Sequence, residues 1–94
     1  MITRLVKLPI KQEKTHEFRN LFENIKDTIR GFDGCIHLEL FAENINSGVH
    51  FTYSIWESEQ YLNKYRLSEF FKKTWATTKT MLADKPDAWS LEKI

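Results

Sequence analysis

GCIHLELFAENINSGVHFTYSIWE (residues 34–57) is two alternating runs joined by the turn-rich segment ENINSG, the pattern of a β-hairpin. Pairing Glu43 with Gly48 across a four-residue loop sets Ala42 opposite Val49, Leu40 opposite Phe51, Leu38 opposite Tyr53 and Ile36 opposite Ile55. Antiparallel partners share a face, so this face is almost wholly apolar and is expected to carry the helices. The opposite face then holds Cys35 with Trp56, His37 with Ser54, Glu39 with Thr52 and Phe41 with His50. Its mixture of rings and polar groups suits a protein interface better than open solvent. His37 and His50 fall roughly 13 Å apart on this register, at about 3.3 Å per residue. Histidine ligands lie at about 2 Å from a metal ion, so no metal site is expected there.

The flanking segments extend the plan. Ile2, Leu5, Val6 and Leu8, with basic residues between them, read as a first strand ended by Pro9, which has no N–H for a sheet ladder. Between Lys11 and Arg30, Phe18, Leu21, Phe22, Ile25 and Ile29 repeat with helical period, and Gly31 is a stop signal. Ser58 is placed to cap a short helix carrying Tyr61, Leu62 and Tyr65; Ser68 is placed to cap a longer one with a Phe71, Trp75, Thr78, Leu82 stripe. Pro86 breaks that helix, and AWSLEKI alternates as a last strand. The order strand, helix, strand, strand, helices, strand predicts an α+β, ferredoxin-like split βαβ domain spanning residues 1–94: a four-stranded antiparallel sheet with helices on one face. The uncovered face is expected to meet a second copy of the chain, with His37, Phe41 and Trp56 at the interface.

Composition narrows the function. Ninety-four residues support one core, and a net charge of +1 with both signs interspersed argues against nucleic acid as a partner. No run is apolar enough for a membrane span or signal peptide, and a single cysteine, Cys35, fits a reducing cytoplasm and a small buried filler. Tyr53, Tyr65, Phe70 and Trp75 gather rings near one strand-to-helix junction. They either complete a core or line a pocket for a flat organic molecule.

GFDGC (31–35) and IWESEQYLNKYRLSEFFKK (55–73) resemble the antibiotic biosynthesis monooxygenase family, especially its haem-degrading branch. The resemblance implies a dimeric α+β barrel. It also implies a cofactor-independent oxygenase acting on a small aromatic or quinol-like metabolite, with no metal or flavin. Three residues of the haem-degrading branch are replaced: Val6 stands at its strand Asn, Tyr65 at its Trp and Trp75 at its iron-ligating His. Haem breakdown by that route is therefore not expected. In a second group, resembling quinol monooxygenases, a functional His follows the helix-capping Ser by two residues, and here Phe70 takes its place. No catalytic residue is assigned on these motifs. The alternative to an oxygenase is a non-catalytic dimeric module that binds such a molecule.

Overall fold

The computed structural model describes residues 1–94. Its strands are β1 (Ile2–Pro9), β2 (Cys35–Ala42), β3 (Val49–Trp56) and β4 (Asp87–Leu91); its helices are α1 (Thr15–Arg30), α2 (Glu59–Arg66) and α3 (Glu69–Lys79). A 3₁₀ turn at Gln12–Lys14 precedes α1. The strands form one sheet in the order β2-β3-β1-β4, with every neighbouring pair antiparallel. This is the α+β plan expected from the order of elements.

The helix on residues 15–30 forms because its apolar stripe has a sheet to bury against. Phe18, Phe22 and Ile29 are buried, with Leu21 and Ile25 half-buried beside them. The second helical segment divides where expected. Ser68 Oγ accepts from the Phe71 N–H at 3.1 Å, satisfying one of the free amides that open α3. Ser58 sits at the same position before α2 without such a bond. The left-handed residue after α1 is Gly34 (φ +83°), whereas Gly31 ends the helix in ordinary helical geometry.

The hairpin departs from the sequence reading. Cys35 does pair with Trp56, but Ile36 is a bulge, and beyond it Leu38 pairs with Ser54, Leu40 with Thr52 and Ala42 with His50. The one extra residue shifts the register and exchanges the faces of β3 relative to β2. His50, Thr52, Ser54 and Trp56 therefore face the helices, while Phe51, Tyr53 and Ile55 face the open side with His37, Glu39 and Phe41. Pairing by matched hydrophobicity failed because the inward polar groups are satisfied locally. Trp56 Nε1 donates to Ser54 Oγ at 3.0 Å, and His50 bonds on both ring nitrogens. Trp56, expected at an interface, is instead 1% exposed at the centre of the core.

That core has two parts. Ile2, Phe22, Ile29, Leu38, Trp56 and Leu62 form one cluster, with Cys35 packed against it. Leu8, Ile10, Phe18 and Met81 form the other.

Candidate functional site

Residues from both clusters line a cavity of about 440 Å³ between the sheet and the three helices. Space opens there because the two central strands carry short side chains on their inward face. Val6 comes from β1, and Thr52 and Ser54 from β3, where a larger apolar residue would close the gap. Tyr65, Phe71, Thr74 and Trp75 of α2 and α3 form the opposite wall.

Tyr65 is held on three sides by rings. Its centroid lies 5.1 Å from that of Trp56 in a stacked arrangement (21°), 5.0 Å from Phe32 and 5.1 Å from Phe71, both edge-on. The hydroxyl has no hydrogen-bond partner within the chain although the ring lines the cavity. Burial, with Cys35 adding a smaller effect, pushes the phenol well above the ordinary tyrosine value. Tyr65 therefore stays protonated and can donate to an oxygen in the cavity; it cannot serve as a base near neutral pH. Trp75 stacks on Phe71 at 6.4 Å and 14°, half-buried, and its indole N–H is a second donor at the cavity wall.

The charged groups at the cavity are Arg4, Arg66 and Asp87. Arg4 lies on β1 between Ser54 and Ser90 and donates from Nη1 to Ser90 Oγ at 2.9 Å. Burial first, and then the nearby Arg66, hold its guanidinium below the usual arginine value. No imidazole lines the cavity. His50 is fully buried elsewhere in the fold. No three His, Cys, Asp or Glu side chains come together in a way that could hold a metal ion.

Of the four residues expected to line a pocket, the structure brings Tyr65 and Trp75 together at the cavity and leaves two outside it. Tyr53 lies on the opposite side of the sheet, its ring 5.6 Å from His37 and 6.3 Å from Phe41, because the bulge reversed its face. Phe70, half-buried, packs against the first core cluster with its ring 5.7 Å from Phe32, while the residue after it, Phe71, lines the cavity. Val6, Tyr65 and Trp75, aligned with the haem-branch Asn, Trp and His, all reach the cavity wall.

The sequence alone gives Arg4 and Arg66 no role and sets Thr52 and Ser54 on the face away from the helices, which the shifted register reverses. A signal for Arg4 existed: Ile2, Arg4, Val6 and Leu8 alternate along one strand, placing a guanidinium in an otherwise apolar row. Nothing comparable marks Arg66, which ends α2 as a basic residue in a last turn commonly does.

A four-stranded antiparallel sheet with three helices on one side and a cavity between the layers defines the class of α+β domain to which the chain belongs. The model of the antibiotic biosynthesis monooxygenase family matches residues 1–77, and the chain belongs to that family. Solved structures agree on the fold. A crystal structure of an antibiotic biosynthesis monooxygenase superposes with a TM-score of 0.91 at 15% identity, covering 100% of this chain and 99% of that one. A conserved protein from Methanosarcina mazei Go1 gives 0.91 at 24% identity, covering 100% and 94%. A protein from Mycobacterium tuberculosis gives 0.87 at 17%, covering 99% and 94%. No curated protein matches the chain by sequence.

Proposed function

We propose that the chain is a cofactor-independent monooxygenase for a small, electron-rich aromatic or quinol-like molecule bound between sheet and helices. The observation that carries this reading is the cavity of about 440 Å³ with two unspent donors, the Tyr65 hydroxyl and the Trp75 N–H, set in aromatic walls. Its size falls in the range of about 300–1,000 Å³ usual for small-molecule sites. Rings on the walls stack with a flat substrate, and the donors hold its oxygens.

The substrate itself is the reductant. Its ionised phenol passes one electron to dioxygen, and the resulting radical pair joins to form a carbon–oxygen bond. The hydroperoxide then loses water to leave a carbonyl. One oxygen atom enters the product and the other leaves as water, and the substrate supplies all four electrons. The protein contributes orientation, exclusion of water and hydrogen bonds from neutral Tyr65 to the developing oxyanion. With no imidazole lining the cavity, the phenolic proton passes to solvent rather than to a histidine base, and the hydrogen bond from Tyr65 favours the phenolate.

The absence of an imidazole from the cavity lining also favours a second reading, a binding module without turnover. Oxygen consumption with naphthohydroquinone separates the two. The oxygenase reading requires uptake above the uncatalysed rate. Tyr65→Phe should lower that uptake by about 100- to 1,000-fold, the usual loss for one preorganised oxyanion donor, while leaving stability within about 1 kcal/mol. Binding of the quinol without added uptake selects the module.

A homodimer built on the open sheet face, in a reducing cytoplasm, belongs to the same proposal. Phe41 (49% exposed), Trp89 (43%) and Leu91 (46%) lie on the face that also presents His37 and Tyr53. Such an apolar area on one side of a sheet fits a self-complementary contact. Tyr53 and Trp89 take the place first expected of Trp56.

A further inference from the structure

The sheet wall of the cavity contains a cation that nothing in the chain neutralises. Arg4 is half-buried, and its one side-chain partner is the uncharged Ser90 hydroxyl. Arg66, exposed at the end of α2, lines the same cavity, and neither guanidinium forms an ion pair with a carboxylate. Asp87 reaches the lining from the start of β4 but pairs with neither, so the cavity carries two positive charges against one negative. Two like charges that line one cavity, one of them half-buried, leave the site with an uncompensated positive field. An anion between them offsets that field and gains charge-assisted hydrogen bonds from planar, fork-shaped donors.

We propose that the aromatic ligand carries an oxyanion substituent, a carboxylate or a phosphate ester, held by Arg4 and Arg66 where the cavity opens, while its ring lies against Tyr65 and Trp75. Arg66 meets the anion at the mouth, and Arg4 orients it from the wall. The inference rests on the cavity being the binding site, as proposed above, and specifies the substrate class: an anionic hydroxyarene in preference to a neutral one.

Calorimetric titration with three probes of one ring system tests it: naphthoate, naphthyl phosphate and the neutral naphthalenemethanol. The parent protein should bind at least one anionic probe about tenfold or more tightly than the alcohol, and the preferred anion identifies carboxylate or phosphate as the group. Arg66→Gln, at an exposed position where the fold is not at stake, should abolish most of the preference; Arg66→Lys should retain part of it, and Arg4→Gln should act like Arg66→Gln. The preference should also shrink as salt is raised. Equal affinity for charged and neutral probes, a preference untouched by both glutamine variants, or no binding of any probe would each overturn the assignment. A charge preference without oxygen uptake would remove the oxygenase reading and leave the anion subsite standing. Uptake with a neutral quinol but no charge preference would do the reverse.

Discussion

His50 has no exposed surface, yet it sits on the helix side of β3 with both ring nitrogens used. Its Nδ1–H donates to the Gly48 carbonyl at 2.8 Å, and Arg19 Nε donates to its Nε2 at 3.0 Å. That arrangement fits only the neutral ring, because a proton on Nε2 would meet the Arg19 N–H. Phe18 closes the site edge-on at 5.0 Å. Burial pushes the imidazole down, against an upward pull from the Gly48 carbonyl and with a smaller downward push from the Arg19 charge. The unfolded chain binds this proton near the ordinary value of about 6.5, and the folded chain binds it only at lower pH. The contribution of His50 to stability is therefore complete above that value and is lost as pH falls below it, with a slope of at most about 1.4 kcal/mol per pH unit. Denaturant titrations between about pH 7 and 5 should show this loss, and His50→Gln should flatten it. A slope unchanged by the substitution would contradict the role. The sequence reading placed His50 opposite Phe41 on the open face because it paired the strands by matched hydrophobicity; the partner that makes burial tolerable, Arg19, lies 31 residues away on α1.

At the scale of elements, the helix of residues 15–30, the capped α3 and the order of strands were legible because each follows a local rule of period or capping. The hairpin register was not, since the bulge at Ile36 responds to the turn before it. Gly34 adopts φ +83°, and a Cβ there would lie 2.3 Å from the Tyr61 ring of α2. Its carbonyl accepts from the Glu57 N–H at 2.8 Å, tying the turn to the end of β3. This turn thus sets both the start of β2 and the seat of α2. Gly34→Ala should cost more than the roughly 1–3 kcal/mol of a left-handed alanine alone, because the Tyr61 ring must also move. Thermal denaturation checks this, and a melting temperature within a degree of the parent would show that the turn does not constrain α2.

For the whole molecule, the sequence disclosed the family and the gathering of Tyr65 and Trp75, because motif and helical spacing are written locally. The inward polar row of Thr52 and Ser54 and the Arg4–Arg66 pair depend on which strands become central and how α2 lies across them, which no single stretch records. The open face makes its own claim. Light scattering at micromolar concentration should give twice the 11.2 kDa chain mass, and Trp89→Lys, placing a charge on the open face beside Leu5 of β1, should reduce it to one chain mass. A parent protein that is monomeric under those conditions would leave the sheet uncovered and the dimer refuted. The oxygenase assignment is tested most directly by mass spectrometry of the product formed under isotopically heavy dioxygen, with hydroxyarenes bearing and lacking an oxyanion group. Incorporation of one labelled atom per product molecule, depressed in Tyr65→Phe, is the expected result; product without label, or turnover no faster than in buffer, would contradict it.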